Sequence, residues 1–329
     1  MAAVTRALRE SFAIPVIGIV IAILVIAMGA LRAPGGYDWG SSLNVAFVIL
    51  FAGWALGLGL RSAGKIVNLA ATLEALSLFV AMCLLGTLMA AAAAIGTGEY
   101  VDPLLSSLDS RFFPFLDWPA FVLSLSGRET LLRTLGHVYA SLSWQPFVLI
   151  GAAMIWGGLS HLNRVMNIWT ACMLLCVLPF HWLPARGPYP YYGIGLDDMH
   201  GINVKLAWDA PARMDAIRDG TIDKIGTEGV SGLVTMPSFH ACAAVVLACC
   251  FWRYRWLRWP ALMLNIVMFA ATLPIGGHYA VDLVAGGAIA LLAVWWATWL
   301  ERRQGAGSQG GLGLAGPVSP GTLRPAQAT

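Results

Sequence analysis

The chain has 329 residues, 58% of them apolar and 11% charged, with a mean hydropathy of +0.73 and a net charge of +3. A soluble domain runs at about 45–50% apolar and about 25% charged, so the composition excludes a water-soluble globule and a disordered chain. It predicts an all-α, polytopic membrane bundle, and the near-balanced charge gives no footing for a nucleic-acid partner.

A spanning helix needs about 20 mostly apolar residues. Eight such runs are predicted, at 12–31, 43–60, 66–95, 137–159, 166–183, 237–252, 258–275 and 278–299. The first follows Arg6 and Arg9 as a secretion signal would, but its apolar run exceeds the roughly 7–15 residues of a signal, which favours a retained helix. With the first segment inside and the sides alternated, inner segments carry eleven basic and two acidic residues, outer ones nine basic and thirteen acidic. Short Arg-rich loops face the cytoplasm, as Arg253-Tyr254-Arg255-Trp256-Leu257-Arg258 does here, so both termini are predicted cytoplasmic.

The outer segment 97–136 carries Phe112, Phe113, Phe115, Trp118 and Phe121 among charges, as suits a segment lying in the interface. The outer segment 184–236 is polar and turn-rich, a cap rather than a domain. The Gly/Pro/Ala-rich stretch 304–329 is predicted to be a disordered tail. The chain thus reads as a single membrane domain over 1–303 with a catalytic core over about 137–300. The six cysteines all fall inside apolar runs, without zinc spacing, and read as small core hydrophobes.

Polar residues within spans mark function by default, and three features stand out in chain order. Leu183-Pro184-Ala185-Arg186-Gly187-Pro188-Tyr189 ends span five with an Arg, the fork of fixed donors best suited to a phosphate. Met236-Pro237-Ser238-Phe239-His240 opens span six. Proline presets a helix start, so Ser238 and the free N–H groups of the first turn can hold an anion, with His240 beside them as a general acid. Gly276-Gly277-His278-Tyr279-Ala280-Val281-Asp282 opens span eight, and its i, i+4 spacing sets His278 and Asp282 on one face. A carboxylate there accepts one imidazole N–H and leaves the other nitrogen free as base or nucleophile. Taken singly, each feature also fits an ordinary role: a snorkelling Arg, a cap with a packed histidine, a polar tie between helices. Their agreement on the outer ends of three spans points instead to phosphoryl transfer through a phosphohistidine.

At these residues the sequence resembles the type 2 phosphatidic acid phosphatase superfamily, through Arg-x-Pro, Pro-Ser-x-His and His-x-x-x-Asp over roughly 180–290. The wording is most similar to bacterial members of the inositol phosphorylceramide synthase (aureobasidin-resistance) branch. Pro184-Ala185-Arg186-Gly187-Pro188-Tyr189 carries that likeness, and Asp117-Trp118-Pro119-Ala120 and Tyr139-Ala140-Ser141-Leu142 extend it to about residue 100. The resemblance implies that His278 is the nucleophile and Asp282 orients it, while His240 protonates the leaving group and then activates water or alcohol. Arg186, Ser238, Phe239 and Gly277 would bind the phosphate. It further implies a lipid phosphate or phospholipid donor, a lipid alcohol acceptor, no cofactor and no metal, in a bacterial inner membrane with the site facing the periplasm. The bulk of Phe239 beside His240, and a long 184–236 cap, would limit water access.

Two basic residues of the general pattern are replaced, by Pro179 and Thr272. Lys205, Arg213, Arg218 or Lys224 from the outer segment are candidates to complete the grip, or plain solvated charges. His181 is expected to pack at the boundary, His137 and His161 lie at opposite faces, and His200 stands beside Asp197 and Asp198. The alternatives are a plain lipid phosphate or polyprenyl diphosphate phosphatase and, in a different class, a transporter using Glu74 and Asp282. A transporter would need paired interrupted helices around a midplane site, which the pattern lacks.

Overall fold

Without water to satisfy them, backbone groups in a bilayer must pair within each segment, and the apolar runs fold accordingly as helices. The computed structural model describes residues 12–32, 40–221 and 232–309. Lys224, the basic residues Arg6 and Arg9, and the tail 310–329 lie outside the described residues. The described elements are α-helices with short 3-10 and π turns: α1 (Ala13–Arg32), α2 (Gly40–Ser62), α3 (Val67–Ala94), α4 (Asp102–Phe112), α5 (Trp118–Leu123) and α6 (Glu129–Ala140). There follow α7 (Gln145–Ala152), α8 (Gly158–Val177), α9 (Pro188–Tyr192), α10 (Leu206–Arg218), α11 (Phe239–Phe251), α12 (Arg258–Gly276) and α13 (Ala280–Gln309).

Six helices are long and apolar enough to cross a membrane, and α11 is a shorter apolar one. The count differs from the predicted runs because 137–159 and 166–183 merge into one helical stretch, Gln145–His181. That stretch changes course at a π turn, Ala153–Gly157, and at Gly158, whose φ of 70° only glycine takes freely. The arm before the break follows α12 downward. Tyr139 lies against Gly276 at one end, Gln145 donates to and accepts from Ser141 and Asn265 midway, and Trp156 meets Tyr254 at the other. The arm after it runs back, from the Arg164–Glu301 ion pair to His181, whose Nδ1 is 2.9 Å from the Ala93 carbonyl oxygen. α13 stays helical to Gln309, beyond the Arg303 at which a disordered tail was expected to begin.

Lipid tails are as apolar as leucine, so helices in a membrane associate by close packing. α11 sits between α12 and α13, and a Cβ on Gly286 of α13 would collide with the Ser238 carbonyl at the head of α11. Glu74, buried in α3, is held by Arg61 of α2 through bonds of 2.8 and 3.2 Å, which accounts for this intramembrane acid. That pair lies at the end of the bundle opposite Arg186, Ser238 and His278. The outer segments are not loose loops. They fold into α4–α6 and α9–α10 and pack over the end of the bundle that carries those three residues.

Candidate active site

The loop from α12 to α13 turns through Gly277, which has φ 63° and caps α12. A Cβ there would stand 2.7 Å from Ala207 and 3.0 Å from Tyr189, so both conformation and space demand glycine. The loop delivers His278, 5% exposed, to the head of α13. Its Nδ1 is 3.3 Å from Asp282 Oδ2, and the same oxygen accepts the Tyr279 N–H at 3.0 Å. Asp282 is fully buried, and its Oδ1 has no hydrogen-bond partner among the described residues.

On the other side of the ring, His278 Nε2 is 3.3 Å from Ser238 Oγ. Ser238 is the N-cap of α11 and accepts the Ala241 N–H through Oγ, leaving its own proton to donate. The pattern assigns the imidazole proton to Nδ1, facing Asp282, and a lone pair to Nε2. The i, i+4 relation read from sequence is thus realised across a helix start, where Asp282 also caps the first turn.

His240, one residue into α11, stacks on Tyr139 with centroids 3.9 Å apart and planes 8° apart. Its Nδ1 is 3.1 Å from the Tyr139 hydroxyl. Phe239 turns the other way: its ring packs edge-on against Trp169 in the core, at 5.6 Å, so only its backbone faces the cap.

Arg186 follows the 3-10 turn Leu178–His181 that ends α8. Its guanidinium grips Asp215 of α10, with Nη2–Oδ2 2.9 Å and Nε–Oδ1 3.3 Å, and lies 4.6 Å from the Tyr100 ring centre. The Tyr100 hydroxyl donates to the same Asp215. Arg186 and His278 line one small cleft with Thr235 and Gly277, roofed by Ala207, Ala210 and Met214 of α10. Asp215 therefore stands in the structure where a phosphate would meet the fork.

Two acids of α4, seven residues apart and nearly fully buried, tie these loops together. Asp102 accepts the N–H groups of Arg186 (2.9 Å) and Gly187 (2.8 Å) and the Tyr279 hydroxyl (3.1 Å). Asp109 accepts the N–H groups of Ala280 and Val281, each at 2.8 Å, at the positive end of α13. Burial pushes the Asp109 carboxyl above its ordinary range, and those two N–H groups pull it part of the way back. Trp118 adds a third tie, its indole N–H donating to the His278 carbonyl at 3.0 Å. Sequence reasoning passed over Asp102, Asp109 and Asp215 as outer charges. The available signal was the i, i+7 spacing of two acids on a helix that also carries Leu105, which is buried on the same face.

The proposed supplementary cations sit elsewhere. Arg218 donates to the Gly98 carbonyl at 2.7 Å and lies 4.0 Å from the Tyr100 ring centre, bracing the outer segment. Lys205 is exposed before α10, and Arg213, half-buried on α10, has no hydrogen-bond or ion-pair partner among the described residues. Thr272 is buried and bonds its own helix at the Met268 carbonyl, while Pro179 lies in the 3-10 turn. Of the remaining histidines, His181 packs on Ala93, His137 bonds the Arg133 carbonyl, His161 faces Tyr254, and the His200 N–H bonds Ser126.

Residues 104–296 match a family model described as the PAP2 superfamily. The matched range contains Arg186, Ser238, His240, His278 and Asp282, together with Asp109, Tyr139 and Asp215, and starts two residues after Asp102. No curated protein and no solved structure matches the chain.

Proposed function

The chain belongs to the PAP2 superfamily and is a membrane-embedded enzyme of phosphatase type, and from that premise we propose that it transfers a phosphoalcohol head group from a phospholipid to a lipid alcohol. The transfer runs through a phosphohistidine, in the manner of inositol phosphorylceramide synthase. The observation that carries the reading is the His278 ring, set between Asp282 on Nδ1 and Ser238 on Nε2 in a cleft it shares with Arg186.

In the first step the Nε2 lone pair attacks phosphorus. The bond from phosphorus to the leaving oxygen breaks, and His240 gives that oxygen a proton. Asp282 stabilises the cation that forms on the imidazole, as a buried carboxylate does for a catalytic histidine. Arg186, released from Asp215, and the N–H groups at the head of α11 take up charge on the phosphoryl oxygens. In the second step the acceptor hydroxyl attacks phosphorus, the P–N bond breaks, and His240 takes the hydroxyl proton. These side chains supply the charge and proton transfers without a metal ion. The roof of α10 over the cleft restricts access to it, and limited water access favours a bound alcohol as acceptor. Phe239, turned into the core, contributes no such shield through its ring.

The Arg-rich turns at the end opposite the site support a cytoplasmic position for that end. The chain then crosses the bilayer eight times, the stretch Gln145–His181 counting twice through its break at Gly158, with both termini inside. In a bacterium this sets the site at the periplasmic face of the inner membrane.

The test supplies a head-group-labelled phospholipid with and without ceramide, diacylglycerol or a polyprenol. A new labelled lipid is expected only with an acceptor and only while His278 is intact; His278→Ala should lose several orders of magnitude. Water-soluble label with every acceptor would leave a plain lipid phosphatase, and normal turnover by His278→Ala would overturn the phosphohistidine.

A further inference from the structure

The cleft carries more negative than positive charge. Among the described residues that line it, Arg186 is the one permanent cation. Met214 of α10 lies in its roof, and the next residue, Asp215, holds the Arg186 guanidinium at 2.9 and 3.3 Å. Two further carboxylates stand close behind: Asp282 on the His278 ring, and Asp102 on the Arg186 backbone N–H. Arg218 touches the Tyr100 ring, 4.0 Å from its centre, but gives its Nη2 to the Gly98 carbonyl. The Arg186 and Asp215 side chains are 45% and 33% exposed, so an entering phosphate can reach the pair. A phosphate that takes the guanidinium does not remove the carboxylate. The Tyr100 hydroxyl still donates to Asp215, and α10 keeps it at the edge of the cleft.

We propose that Asp215 is a specificity-determining residue, which makes the cleft select a singly charged phosphodiester over a doubly charged phosphomonoester. This deepens the head-group-transfer reading and rests on it. One guanidinium neutralises one charge, which is all that a phosphodiester brings. The second charge of a monoester is left facing the displaced carboxylate. Coulomb energy scales with the product of the charges, so Asp215 repels a monoester twice as strongly as a diester. Expressed as a factor in affinity, the monoester pays the square of what the diester pays. Specificity of this kind comes from a repulsive element set against the wrong ligand. Arg186 alone would not supply it, because a free guanidinium fork accepts the oxygens of either ester. The carboxylate therefore costs some affinity for every phosphate and returns discrimination between two classes of lipid.

The experiment compares phosphatidylmethanol with phosphatidic acid of the same acyl chains, two lipids that differ by one methyl group and one charge. The full-length protein is assayed in detergent at about pH 8, where a phosphomonoester, with a second pKa of about 6, carries most of its second charge. Diacylglycerol release gives kcat/KM for each lipid, and the rise in Tm with each lipid reads binding without turnover. Wild type should prefer phosphatidylmethanol in both readouts. Asp215→Asn should move the ratio of the two lipids by about 3–10-fold toward phosphatidic acid, the factor for one charge pair at the margin of a solvated cleft. Asp215→Glu, which keeps the charge, should hold the wild-type ratio. So should Asp219→Asn, which removes an exposed acid from the end of the same helix. An equal change for both lipids in Asp215→Asn would show that the residue only positions Arg186, and would overturn the proposal. An unchanged ratio in both readouts would overturn it as well. Diacylglycerol release by His278→Ala would overturn the phosphohistidine reading instead, a failure that the lipid ratio does not share.

Discussion

Asp102→Asn tests whether the acids of α4 hold the site in register. The carboxylate accepts three hydrogen bonds, two on Oδ1 from the Gly187 N–H and the Tyr279 hydroxyl, and one on Oδ2 from the Arg186 N–H. An asparagine has one oxygen. Placed at Oδ1, it keeps the first two bonds and turns its NH2 toward the Arg186 N–H, donor against donor; the opposite flip loses two. At least one charge-assisted bond disappears and one buried N–H is left without an acceptor, for about 2–3 kcal/mol. The apparent Tm in detergent should fall by several degrees. The loop bearing Arg186 should also shift, and a displacement of about 1 Å at a reacting group costs on the order of 100-fold, so the initial rate measured well below the Tm should fall by about 10–100-fold. Melting is followed by tryptophan fluorescence and rate by transfer of labelled head group. A variant that melts and turns over like wild type would refute the clamp. One that loses stability alone would show that Arg186 finds its place without Asp102.

Topology is checked by impermeant thiol labelling of single cysteines at exposed outer positions: Ser107→Cys and Asp219→Cys should react in intact cells, and labelling only after membrane rupture would reverse the orientation. Asp102 is unsuitable for this purpose because it is buried in the clamp. Activity should survive excess EDTA, and vanadate, a mimic of five-coordinate phosphorus, should inhibit it. Complete loss with EDTA, restored by magnesium or zinc, would refute charge stabilisation by Arg186 and the N–H groups alone.

Much of this molecule was legible in the amino-acid order. Long apolar runs must become helices because a bilayer leaves their backbone no other partner, and the predicted and observed limits of 66–95 and 258–275 agree within about a residue with Val67–Ala94 and Arg258–Gly276. The His278–Asp282 pair was readable because i, i+4 spacing is a local property, and the capping role of Ser238 because it depends on its immediate neighbours. Contacts made across distance were not readable. Nothing near Asp102 announces that its carboxylate will close on backbone N–H groups 84 and 85 residues away, nor does Tyr139 show that it will meet His240 101 residues later. Phe239 misled for the same reason: its neighbour His240 faces the site, but side chains one residue apart on a helix point in different directions, and its ring went to Trp169. Local sequence determined the helices and the His278–Asp282 pair at the head of α13. Tertiary packing alone decided which distant side chains hold that pair in place, because hydrogen bonds and ring contacts form between whatever surfaces the folded bundle brings within a few ångströms.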